Sequence, residues 1–201
     1  MTTPPPNLIA ELLDFLNRPI SNSNEADGEA AAVALGNLGD TGLPAISTLL
    51  ASRNVDRRFW AVRSLWANGS PAAQEYLVGL LADSDELIRS AAALALGEMK
   101  AETAIPALAH IVTTDPTPVG RHAADALAKI GPPAAKTLIA ALEHPESRVR
   151  VRAARALVPI ESKAAIKPLI HCLDHDDSYL VRHYADEALK RMGVGQLVYF
   201  K

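Results

Sequence analysis

One short pattern, Ala-Leu-x-x-Ile-Gly or a variant of it, returns six times along the chain. It stands as Ala34-Leu35-Gly36-Asn37-Leu38-Gly39, Ser64-Leu65-Trp66-Ala67-Asn68-Gly69 and Ala95-Leu96-Gly97-Glu98-Met99-Lys100. It continues as Ala126-Leu127-Ala128-Lys129-Ile130-Gly131, Ala156-Leu157-Val158-Pro159-Ile160-Glu161 and Ala188-Leu189-Lys190-Arg191-Met192-Gly193. The endings are spaced by 30, 31, 31, 30 and 32 residues. So regular a period marks a repeat array, in which each repeat buries its apolar face only against its neighbours.

The copy ending at Gly131 shows the local logic. In Val119–Gly131, small and apolar residues fall at Val119, Ala123, Ala126, Leu127 and Ile130. Gaps of three and four put them on one helical face. Arg121, His122, Asp125 and Lys129 fall elsewhere, and Gly131 closes the helix because glycine tolerates positive φ. Asn7 and Pro19 bound a first helix, and another spans about 25 to 38. Later repeats each hold two helices. First members begin near Leu43, Pro71, Thr103, Pro133 and Lys163, with Pro44, Pro106 and Pro168 in or near the first turn, where a missing N–H costs little. Second members span about 57–68, 87–99, 119–130, 149–160 and 181–192. The expected fold is all-α, a right-handed α-solenoid of about six helix pairs. Residues 1–6 read as a disordered tail, 7–201 as a single repeat domain and 194–201 as an apolar cap.

Composition bounds the function. A hydrophobic content of 49% over 201 residues supports an ordinary core. The net charge of −3 gives no general attraction for nucleic acid. No apolar run reaches the ~20 residues of a membrane span. The start lacks the layout of a secretion signal. A single cysteine, Cys172, excludes an intrachain disulfide and fits a reducing compartment, so a cytoplasmic protein is expected. His171 and His175 would share a face if their helix continued, but it is expected to end near Cys172 or Leu173. With Leu169, Ile170 and Leu173 around it, Cys172 reads as a buried structural thiol, and no metal site is expected.

Eleven residues before the repeat ends stand Gly28, Arg58, Arg89, Gly120, Arg150 and Arg182. This column tracks the repeat and not one site. It predicts an arginine ladder bonding turn carbonyls or the turn Asp of an adjacent repeat.

The full run is a turn Asp, Val-Arg, Ala-Ala-x-Ala-Leu-x-x-Ile-Gly and Ala-Ile-Pro-x-Leu. It is clearest from Asp85 through Leu108 and from Ser147 through Leu169. It resembles the HEAT-like repeat grouped under phycobilisome lyases, over about residues 25 to 193. In E/F-type lyases of that family two such proteins pair and attach a linear tetrapyrrole to a cysteine of a phycobiliprotein subunit, or detach it. Related members act as chaperones or binding partners. The resemblance implies a phycocyanobilin-like tetrapyrrole as substrate and none bound tightly. It also implies as partners a phycobiliprotein subunit and a second HEAT-like subunit. No catalytic motif carries over.

In such a repeat, second-helix positions ten, nine, six and three before the end should avoid the core and line the concave face. They give Phe59, Trp60, Arg63 and Trp66 in the second repeat, and Arg121, His122 and Asp125 in the fourth. They give Arg152 and Arg155 in the fifth, and His183, Tyr184 and Glu187 in the sixth. Aromatics could stack on flat rings while guanidiniums pair carboxylates. The same residue types serve as hot spots for a protein partner, and Trp60 and Trp66 could also simply fill a repeat junction. Two functions stay open: a bilin lyase subunit or chaperone, with His122, Asp125 or His183 as general acid, and a non-catalytic adaptor holding a protein in its groove.

Overall fold

The computed structural model describes residues 7–19 and 24–194. The chain divides into two compact units between Met99 and Lys100. The first holds α1 (Leu8–Leu16), α2 (Glu25–Gly36), α3 (Leu43–Leu50), α4 (Val55–Asn68), α5 (Pro71–Leu80) and α6 (Glu86–Glu98). The second holds α7 (Ile105–Thr114), α8 (Pro118–Ile130), α9 (Ala135–Ala141), α10 (Ser147–Leu157), α11 (Ile166–His175) and α12 (Tyr179–Arg191). Among the described residues there is no strand. Within each unit the second members stack in succession, α2 on α4 on α6 and α8 on α10 on α12. The first members pack against them. The tail over 1–6 lies outside the described residues, as does the expected cap apart from Val194, whose N–H donates to the Leu189 carbonyl at 2.9 Å.

The repeat signature sets both the core and the turns. Its leucines, Leu35, Leu65, Leu96, Leu127, Leu157 and Leu189, are each at most 1% exposed. That column is therefore the spine of the two cores. All six repeat ends take positive φ: Gly39, Gly69, Gly131 and Gly193, but also Lys100 (49°) and Glu161 (51°). A non-glycine residue there carries local strain, which the surrounding packing offsets.

Helix starts follow the sequence with two differences. Asn54, Ser70, Asp85 and Thr117 cap α4, α5, α6 and α8 by accepting backbone N–H bonds. Asn7 makes no such side-chain bond, because its own backbone is already helical. In the second unit, single 3₁₀ turns at Glu102–Ala104, Pro132–Ala134 and Lys163–Ala165 occupy the expected starts, and α7, α9 and α11 begin just after them.

The arginine ladder is present. Arg58, Arg89, Arg150 and Arg182 each donate through Nη1 to the carbonyl six residues earlier, on Ser52, Asp83, His144 and Asp176. Arg58 also grips Asp83 of the next turn, Nε to Oδ2 at 2.9 Å and Nη2 to Oδ1 at 3.0 Å. Arg150 grips Asp176 the same way, at 2.7 and 3.1 Å. Each aspartate accepts in addition the N–H two residues on, from Asp85 or Ser178, at 2.8 Å. One carboxylate thus shapes its own turn and ties it to the preceding repeat.

This geometry carries a pH dependence. Burial pushes the Asp176 carboxyl up, but bonds from Arg150 and Ser178 outweigh it and leave the carboxyl below its ordinary value. The Asp176 bond in turn raises the Arg150 guanidinium against the opposing effect of burial. A depressed carboxyl stabilises the fold fully above its unfolded pKa of about 3.9, and that contribution fades as pH falls through the folded value. Melting curves from pH 7 to 3 should show Asp176→Asn less stable at neutral pH, with a shallower acid loss than the parent. Parallel acid limbs would show that Asp176 does not contribute to the acid transition.

Candidate functional site

In the first unit, the predicted residues of α4 separate. Trp60 is 3% exposed and lies against Gly28 of α2, where an added Cβ would come within 2.5 Å of its Cζ2. The expectation that Trp60 faces the open side is corrected: without a ladder side chain at Gly28, the indole folds into the space. Phe59 packs edge-on to it at 5.5 Å and is half-buried. Arg63 is gripped by Glu29 through both Nε and Nη2, with its Cζ 4.4 Å from the centre of the Trp66 ring. Trp66 is 36% exposed. Of this set, Trp66 presents the open aromatic surface, with an arginine whose charge is already matched.

In the second unit, a groove of about 650 Å³ crosses three successive second helices. Arg121 of α8, Arg148, Val151, Arg152 and Arg155 of α10, and Leu180 and Tyr184 of α12 line it. The sequence reading named Arg121, Arg152, Arg155 and Tyr184, and the fold brings these four together. It did not name Arg148 or Leu180 as site residues. Arg148 stands one turn before Arg152 and shares its helix face, a signal present in Ser147-Arg148-Val149-Arg150. Leu180 is 49% exposed in the first turn of α12.

Arg152 is buried, at 9% exposure, and the expectation that it contacts ligand is corrected. Its Nη1 donates to the Val112 and Asp115 carbonyls at 2.9 Å, and its Nη2 to the Thr117 carbonyl at 3.0 Å. A Cβ on Gly120 would stand 2.5 Å from its Cζ. The guanidinium therefore fills the gap left by the glycine in the ladder column and serves the turn that a ladder arginine would serve. Burial first, then the nearby Arg148 charge, lowers its pKa.

The remaining predicted residues, His122, Asp125, His183 and Glu187, lie on the same helices, outside the groove lining. Arg155 donates through Nη2 to Asp125 at 2.5 Å. Arg121 is exposed and makes no ion pair among the described residues; its Nη2 stands 3.5 Å from the His122 Nε2. His122 is half-buried, and its Nδ1 is shielded without a hydrogen-bond partner among the described residues. His183 is exposed, stacked on Tyr179 at 6.2 Å and edge-on to Tyr184 at 5.2 Å. Glu187 is exposed on the same helix.

Elsewhere in this unit α11 runs to His175, beyond the expected end near Cys172, so His171 and His175 do share a face, with rings stacked at 4.7 Å. Cys172 is buried as expected, and burial, then Asp176, pushes its thiol up. No helix among the described residues is long and apolar enough to cross a membrane.

HEAT repeats match the chain over residues 43–128 and 117–190. No curated protein matches it. Among solved structures, an engineered protein shares 24% identity over 93% of this chain and 97% of its own, with a TM-score of 0.53. The complex of CpcE and CpcF of phycocyanin lyase from Nostoc sp. PCC7120 shares 25% over 96% and 79%, with a TM-score of 0.52. A designed armadillo repeat protein in complex with the peptide (KR)4 shares 16% over 92% and 99%, with a TM-score of 0.53. The first and last of these likenesses bear on the fold alone. The repeat match extends over well more than half of the chain, so this all-α protein belongs to the family of HEAT repeats.

Proposed function

We propose that the protein is a binding module that holds an extended segment of a protein partner in the groove across α8, α10 and α12. The observation that carries this reading is the mixed lining of that groove. Open Arg121 and Arg148 flank Val151, Leu180 and Tyr184 on three successive helices. Arginine and tyrosine beside an apolar floor are the residue types that dominate protein interfaces. Packed helices lie about 8–10 Å apart, so three of them cross roughly 20 Å. An extended peptide at about 3.3 Å per residue covers that distance with some six residues.

The test is a panning of the full chain against a displayed random eight-residue library, followed by Val151→Trp, which fills the groove. Enriched peptides should lose at least tenfold in affinity on that variant while its melting temperature holds. Peptides that bind Val151→Trp as well as the parent would overturn the groove reading.

A narrower reading gives the partner a name. The repeat motif resembles E/F-type lyases, and the likeness to the CpcE and CpcF complex extends over 96% of this chain. Both support a lyase-like or chaperone-like role toward a phycobiliprotein subunit, together with a second HEAT-like subunit and a linear tetrapyrrole. In that role the chain would act mainly by holding reactants together. His122 adjoins Arg121 and His183 adjoins Tyr184, and in that role these two histidines would be the proton donors, whereas Asp125 is committed to Arg155. Mixing the chain with a phycocyanobilin-like bilin, with and without an acceptor subunit, should shift the visible absorption. An unchanged spectrum in both mixtures would remove this reading and leave the binding module standing.

A further inference from the structure

We infer that the segment held in this groove is acidic: its carboxylates lie on Arg121 and Arg148, with an apolar side chain between them against Val151, Leu180 and Tyr184. The inference rests on the groove reading above and specifies its occupant. Three observations carry it. First, Arg121 is exposed, with no ion pair among the described residues. Among the described residues Arg148 is held only by Glu146, two residues away and half-exposed. A surface pair of that kind is worth little and exchanges readily for a better-placed carboxylate. Second, Arg155 lines the groove and bonds Asp125 through Nη2 alone, so its Nε and Nη1 donors are not spent on that carboxylate. Third, a buried cation, Arg152, adjoins the apolar part of the lining. Arg152 is buried with three backbone carbonyls as its direct partners, so its positive charge is solvated by dipoles and not cancelled by a contacting carboxylate. A fixed, partly desolvated cation strengthens attraction for anions near it. The chain as a whole carries −3, so this attraction is local to the groove.

The experiment measures fluorescence anisotropy with labelled eight-residue peptides of alternating Asp and Leu, Asn and Leu, and Lys and Leu. A single-stranded RNA octamer is a further probe. The acidic peptide should bind at least tenfold more tightly than the Asn peptide, and its affinity should fall as salt rises. Arg121→Glu/Arg148→Glu should lose at least tenfold for the acidic peptide and gain for the Lys peptide, with an unchanged melting temperature. Equal binding of the Asp and Asn peptides overturns the inference, and so does tighter binding of the RNA. If library peptides that depend on the groove prove neutral or basic, acidity fails while the groove reading survives. If no peptide depends on Val151, the groove reading itself fails.

Discussion

Leu127→Ala is expected to lower the unfolding free energy by about 3 kcal/mol, within the roughly 2–5 kcal/mol range for truncating a buried leucine. Leu127 is fully buried in α8, in the column whose six members form the spine of the two cores. It borders an apolar cleft of about 380 Å³ shared with Val112 and Leu138. Truncation therefore widens an existing recess and does not seal off a new void, which keeps the expected loss below the top of the range. Leu94→Ala is the matched control. Leu94 lies in α6 but is 40% exposed, so its loss should stay within about 0.5 kcal/mol. Urea unfolding of both variants measures the contrast. Equal midpoints would show that the leucine column does not carry the core.

The sequence disclosed the parts of this molecule that repeat. A leucine every 30 to 32 residues marks the core, because burial of one face imposes the same choice on each repeat. The ladder arginines were legible for the same reason: each serves the carbonyl six residues earlier in its own repeat. The departures were harder to read. Trp60 and Arg152 occupy a position that the helical period turns outward, yet both are buried. Their burial depends on what stands in the repeat before, where the ladder column holds Gly28 and Gly120. The signal was present: in both cases the large residue follows the glycine by 32 residues. It could be read only by comparing columns between repeats. Arg148 was missed as a groove residue for another reason. It sits in the first turn of α10, ahead of the positions the repeat template assigns to the open face.

The exchange of Gly120 and Arg152 for a ladder arginine gives the second large effect. Arg152→Ala should cost about 2–4 kcal/mol. It strips the carbonyls of Val112, Asp115 and Thr117 of charge-assisted bonds, the first buried and the other two partly so, and a lost partner at a buried carbonyl costs about 1–3 kcal/mol unless another donor replaces it. Gly120→Arg alone should also destabilise, because its side chain would start in the space that the Arg152 guanidinium fills. Together the two changes should cost less than their sum. With the guanidinium gone, an arginine at 120 can rise in the ladder column, as Arg89 and Arg150 do, and donate to the same turn. Residues in direct contact commonly couple by about 0.5–3 kcal/mol, and a favourable coupling of at least ~1 kcal/mol is expected here. Urea unfolding of the two single variants and the double variant closes the cycle. Additive losses would mean that Arg152 is held by its own carbonyl bonds alone, and that the glycine in the preceding repeat does not make room for it.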